Sequence, residues 1–170
     1  RGQPLGMSWM RGLILCLSFV FALTSPACAD KWAVNAIKYK NEGAYQAYFD
    51  IYSMYNGVKV WCRGKNTKGN GIKSGKSVTI QLDNSDGSLL VSNEPGESCL
   101  PAQGKEVWGL VYIDRGSGYH STARKESCRK DGAKFYYDPN GGTLVVETKG
   151  TTENNNRCQI KSKGGVKHNN

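Results

Sequence analysis

His120, Arg124 and Glu126 lie within seven positions of one another, just after the Gly-rich stretch Asp114, Arg115, Gly116, Ser117, Gly118, Tyr119. These are the residue types of metal-free RNA cleavage, which needs a general acid, a general base and a cation to clamp phosphate. Gathered at one sheet edge they would make a small nuclease centred on His120. The competing reading is a surface histidine on a polar loop, because the spacing alone imposes no geometry.

A second constellation is electrostatic. No acidic residue occurs from 51 to 82, yet Lys59, Arg63, Lys65, Lys68, Lys73 and Lys76 all do. Four of these six fall in the Gly- and Lys-rich loop 64–76. Such a loop can follow a phosphate or sulfate surface without strict geometry. It lacks the Gly-Lys-Ser/Thr ending of a phosphate loop set between a strand and a helix, so nucleotide binding is excluded. The bland alternative is a solvated loop that keeps the domain soluble.

A third lies in the tyrosines. Tyr48 and Tyr52 alternate with Gln46 and Asp50 on one face of a clear strand. If that face meets solvent, the two rings form a stripe suited to a sugar or a lipid headgroup. If a neighbouring element covers it, they are ordinary core. Other chemistries fare worse. No Gly-x-Ser-x-Gly elbow occurs. Asp83, Asn84, Ser85, Asp86 and Gly87 have the composition of a calcium loop but not its spacing, and read as a turn. With no C-x-x-C pair and His120 and His168 the only histidines, no metal is expected, nor any cofactor.

The elements that must position these groups follow a leader. Met7 and Arg11 precede an apolar run over 13–23, too short to span a bilayer. Ser25 and Pro26 break it, and Ala27, Cys28, Ala29 supply the small-x-small pattern of signal peptidase. The expected organisation is an upstream extension over 1–6, a signal peptide over 7–29, a domain over 30–160 and a disordered basic tail over 161–170. Cleavage between Ala29 and Asp30 would leave a secreted or periplasmic domain with no transmembrane segment. Losing Arg1 and Arg11 lowers the net charge from +9 to about +7, which favours an acidic partner: anionic lipid, acidic glycan or nucleic acid.

Cys16 and Cys28 belong to the leader; Cys62, Cys99, Cys128 and Cys158 remain. An even number in an exported domain reads as two disulfides, for which three pairings exist. The sequential one, Cys62 with Cys99 and Cys128 with Cys158, is favoured because each bond closes a local loop.

No segment shows the three-to-four spacing of an amphipathic helix, and turn residues recur about every ten positions. Strands are expected over 32–40, 44–55, 58–62, 77–82, 89–92, 106–114, 133–138, 143–148 and 156–160. Asn56-Gly57 marks a hairpin, and Pro139, Asn140, Gly141, Gly142 mark another. Both faces of 106–114 are apolar, so that strand should be central. The stretch 115–131 reads as a long loop. The fold class is all-β: a single antiparallel β-sandwich of about eight or nine strands with two disulfides.

The aromatic strand (Tyr45, Tyr48, Phe49, Tyr52) followed by Ile72-x-x-Gly75-x-Ser77-x-x-Ile80-x-Leu82 resembles aegerolysins and similar small secreted β-sandwich proteins. The resemblance covers about a third of the mature chain and implies a lipid-binding or haemolysin-type module. The net positive charge departs from the acidic character usual in that family, and no functional residue is carried over from it. The leading functional expectation is a secreted, non-enzymatic module that recognises an anionic or carbohydrate-bearing surface, toxin-like or adhesive. The nuclease is the second reading, and a secreted protein-binding or inhibitory domain the third.

Overall fold

The computed structural model describes residues 29–69, 71–91, 99–116, 124–129 and 132–168. The upstream extension, all of the leader except Ala29, and His120 lie outside the described residues. Ten strands form two five-stranded sheets. In chain order they are β1 (Asp30–Gly43), β2 (Ala47–Tyr55), β3 (Val58–Gly64), β4 (Ser77–Gln81), β5 (Leu89–Leu90), β6 (Val107–Ile113), β7 (Arg124–Ser127), β8 (Ala133–Tyr137), β9 (Gly142–Gly150) and β10 (Gln159–Ser162). A single 3-10 turn, Lys65–Lys68, follows β3. The first sheet runs β10-β9-β1-β4, with β8 also on β1; the second runs β5-β3-β2-β6-β7.

The all-β sandwich expected from the alternation is what forms. Phe49 and Ile51 of β2 and Val107, Val111 and Ile113 of β6 turn inward against Val34, Ile37 and Tyr39 of β1 and Leu144 and Val146 of β9. The rings of Tyr39 and Phe49 stack across the gap at 4.9 Å. Gly109 makes room for this, since a Cβ there would run into the Phe49 ring. β6 lies between β2 and β7, as its two apolar faces require. The two disulfides are Cys62–Cys99 and Cys128–Cys158, the sequential pairing. The second joins the end of β7 to the segment entering β10, and so ties one sheet to the other.

Three expectations are corrected. The Pro139–Gly142 turn does not close a hairpin. β8 and β9 both run parallel to β1, one after the other: β8 beside Asp30 to Val34, β9 beside Val34 to Gly43. The chain jogs instead of reversing, because β1, at 14 residues, is long enough to take both short strands. Gly141 passes so close to Ala33 and Val34 that any side chain would meet their backbone. The first sheet is therefore mixed, not antiparallel throughout. Second, the loop expected over 115–131 contains β7, a short edge strand whose Arg, Lys, Glu, Ser composition hides it. Third, residues 161–168 are part of the fold. Ile160 pairs with Val146, Ala33 donates its amide to Val166 and His168 donates its own to Lys31. Lys167 and Lys163 lie 4.0 and 5.1 Å from the centre of the Trp32 ring and share the Asp30 carboxylate.

The described residues of the loop 64–76 are fastened to β1 and β2. Asn66 accepts the amide of Phe49 and donates to its carbonyl, so it acts as a short extra strand partner. Ile72 is buried and exchanges both backbone hydrogen bonds with Ala47. The side-chain amide of Asn41 donates to the carbonyls of Tyr45 and Ile72. These bonds fasten the crossover between the sheets and leave Lys65, Lys68, Lys73 and Lys76 exposed.

Candidate functional site

The outer face of the second sheet carries the densest aromatic and cationic grouping among the described residues. Cross-strand register sets Trp61 of β3 and Trp108 of β6 on either side of Tyr52 of β2. The three rings stand nearly parallel, with centroid spacings of 6.1 and 5.9 Å. Aromatic pairs in such cross-strand positions stabilise a sheet as well as covering it. Cations lie over the rings: Lys59 at 5.2 Å from Tyr52, Arg63 at 5.1 Å from Trp61, Arg129 at 4.8 Å from Trp108 and Lys125 at 5.4 Å from Tyr112. Each ring holds a cation without cancelling its charge.

The row continues along β2. The Tyr52 and Tyr112 hydroxyls are 3.2 Å apart. Tyr48 faces Tyr112 across the register; its hydroxyl accepts from Gln46 and lies 3.5 Å from an Asp114 carboxylate oxygen. Tyr48 and Tyr52 are only 3% and 9% exposed, so of the two readings of this face the covered one holds. Tyr52 has a tryptophan on each side and no face left for a sugar. Asp50, between them, is fully buried and accepts the amide of Gly64.

The structure sorts the expected cations into two groups. Lys59 and Arg63 flank Trp61 on the ring face. Lys65 and Lys68 follow on the 3-10 turn. Lys73 and Lys76 sit beyond Ile72, whose partner Ala47 is at the opposite end of β2 from the hairpin. That strand length separates them from Lys59 by roughly 25 Å. Several arginines are already partnered. Arg129 grips Glu106 with two bonds of 2.8 and 2.9 Å. Arg124 pairs with Glu126 at 3.0 Å and donates to the Glu153 carbonyl. The two described members of the nuclease triad thus hold each other.

Sequence reasoning did not place Trp61, Trp108, Tyr112, Lys125 and Arg129 in a site. The outward aromatics of β6 were a usable signal. Lys125 and Arg129 had none, because β7 was unrecognised. The turn over Asp83 to Gly87 uses its oxygens internally: Asp83, Asp86 and Asn84 accept the amides of Ser85, Ser88 and Leu89. Hydrogen bonds from Ser85, its amide first, hold the Asp83 carboxyl below the ordinary range. Burial pushes the phenols of Tyr39, Tyr45 and Tyr137 upward, so they stay protonated. At Glu147 burial raises the carboxyl, but Lys149 and Lys161 at 3.1 and 3.4 Å outweigh it and hold the group below its usual value. Among the described residues no cluster of His, Cys, Asp or Glu could hold a metal ion, and no helix is long and apolar enough to cross a membrane.

No family model matches the chain and no curated protein matches it. Among solved structures it is similar to wild-type pneumolysin at 12% identity and a TM-score of 0.37, over 79% of this chain and 23% of that one. The membrane-binding domain of pneumolysin gives 12% identity and 0.35, over 76% of this chain and 97% of that one. A Gram-negative toxin gives 17% identity and 0.36, over 76% and 23%. The chain thus spans under a quarter of the whole toxins. The expected likeness to aegerolysins holds only in its coarse part, the two-sheet β architecture of this chain. No property of the toxins is transferred to this chain on that likeness.

Proposed function

We propose that this protein is an exported, non-enzymatic module that binds an anionic surface through the outer face of its second sheet. The observation that supports this is the Trp61, Tyr52, Trp108 row with cations over each ring. Standing rings with covered faces cannot stack flat on a sugar. They instead hold Lys59 and Arg63 at fixed positions above the sheet, where phosphate or sulfate is the complementary charge, while Arg129 over Trp108 is paired with Glu106. The acid-free stretch 51–82 extends the positive surface past the row. Two disulfides accord with an oxidising compartment, and the leader expected over 7–29 supplies the route to it.

The test is equilibrium binding of the oxidised protein to anionic and neutral vesicles, and to heparin and a neutral polysaccharide, over a salt series. Binding to the anionic member of either pair should exceed the neutral one and weaken as salt rises. Lys59 and Lys125 make no ion pair among the described residues, so Lys59→Gln with Lys125→Gln removes charge without freeing a carboxylate. At about 1 kcal/mol per basic group near a charged surface, the pair should cost 10- to 30-fold in affinity. Equal binding to anionic and neutral members, or no effect of the double substitution, would overturn the proposal.

A further inference from the structure

We infer that the end of the β2–β3 hairpin is a membrane-insertion element, and that the anionic surface is a phospholipid bilayer. The inference rests on the anionic-surface reading and narrows it to one partner. Bonding of β2 to the β6 side ends with the Met54 amide on the Glu106 carbonyl, and pairing of β3 with β5 begins only at Arg63. Between those limits the hairpin leaves the sheet as a two-stranded ribbon. Asn56 and Gly57 close it with φ of 48° and 78°, the tight turn that lets Tyr55 face Val58 directly.

The ribbon is apolar where it has left the core. Tyr55 is 52% exposed, Val58 63% and Trp61 38%. They are three of the four exposed large hydrophobic residues among those described, and they fall within seven positions. Alternation puts Tyr55 and Val58 on the face that lower down packs the core, but here there is no opposite sheet to meet them. Lys59 occupies the other face, over Tyr52.

This composition suits one occupant. Tyr55 and Val58 at a narrow tip, with Trp61 three pairs lower on the other face, offer far less than the roughly 800 Å² per partner of a stable protein interface. A glycan would need hydrogen-bonding groups where Val58 stands. A bilayer interface takes Trp and Tyr at headgroup level and lets lysine reach phosphate. The surrounding charge is complementary to anionic lipid, with no acidic residue from 51 to 82. Depth is limited by the backbone. A two-stranded ribbon keeps outward N–H and C=O groups that need water, so the tip enters the headgroup region and not the hydrocarbon centre.

The experiment compares the oxidised wild-type protein with Tyr55→Ser/Val58→Ser, using phosphatidylglycerol–phosphatidylcholine vesicles at low and high salt. Both sites are exposed, and circular dichroism with the urea midpoint verifies that the variant is folded. Wild type should retain binding at high salt, and the variant should lose about tenfold or more there. Lipids brominated near the headgroup should quench tryptophan emission more than lipids brominated at the chain ends, and Trp61→Phe should remove most of that quenching. If salt abolishes wild-type vesicle binding and no quenching occurs, the hairpin inference fails while the anionic-surface reading stands. Binding to heparin without binding to any vesicle has the same meaning. Binding to neither overturns both.

Discussion

Asn41 offers the sharpest test of how the crossover between the sheets is held. It is fully buried on β1. Its side-chain nitrogen donates to the carbonyls of Tyr45 and Ile72 at 2.7 and 2.8 Å, and its oxygen accepts the amide of Gly43 at 3.0 Å. Asn41→Ala takes away the partner of the Tyr45 carbonyl and of the Gly43 amide, while the Ile72 carbonyl keeps the Ala47 amide. At about 1–3 kcal/mol for each of those two groups, truncation should cost roughly 2–6 kcal/mol. Asn41→Asp is different in kind. It sets an oxygen against two carbonyls, so the ionised form is both desolvated and repelled. A buried carboxyl in such a place rises by about 3–5 pH units; because it then stays protonated in the folded protein at neutral pH, the cost there is about 4 kcal/mol. Since the folded pKa is raised, the cost is small below the unfolded value near 4 and grows as pH climbs toward the folded value. A small domain has about 5–15 kcal/mol in hand, so this variant should lose a large share of its stability at pH 7. Urea titrations at pH 4 and pH 7, each referred to wild type at the same pH, separate the two. The Ala deficit should be flat with pH and the Asp deficit should grow. An Asp variant within 1 kcal/mol of wild type at pH 7, or with a pH-independent deficit, would refute the reasoning.

Glu147 should dominate an acid limb of stability. Its carboxyl is held low by Lys149 and Lys161, so its contribution is present above the unfolded pKa and is lost as pH falls through the folded one. Tm measured from pH 6 to pH 3 should fall less steeply in Glu147→Gln than in wild type; parallel curves would count against it. Each disulfide should be worth about 4 kcal/mol from the chain entropy of its loop, with sequence separations of 37 and 30. The Ser/Ser variants at Cys62 and Cys99 and at Cys128 and Cys158 should therefore lower the urea midpoint by similar amounts, and a loss under 1 kcal/mol for either would show that its loop is already restricted when unfolded.

What was legible in the chain follows the reach of local patterns. The alternation of Phe49 and Ile51 against Tyr48 and Tyr52 defines β2, and Asn56-Gly57 defines its hairpin, because both signals are complete within a few residues. The apolar faces of β6 likewise announce an interior strand. Pro139 to Gly142 misleads because the same residues serve a reversal or a jog, and only the length of β1 decides between them. β7 is invisible because an edge strand of four polar residues has no hydrophobic period. The lysines were visible as charge, but their grouping was not. Lys59 joins Arg63 and Trp61 through strand register, while Lys73 goes elsewhere because Ile72 docks beside Ala47. Tyr52 looked like a ligand platform and is covered by two tryptophans that lie 9 and 56 positions away in the chain.

The placement of β8 and β9 along β1 also orders events in time. The hydroxyls of Tyr39 and Thr148 meet at 2.6 Å across 109 positions of sequence. Until the ribosome has released the last third of the chain, β1 has no partner on that side. Contacts so distant make closure slow. The emerging polypeptide is thus barred from completing its first sheet before residues 133–150 have been made.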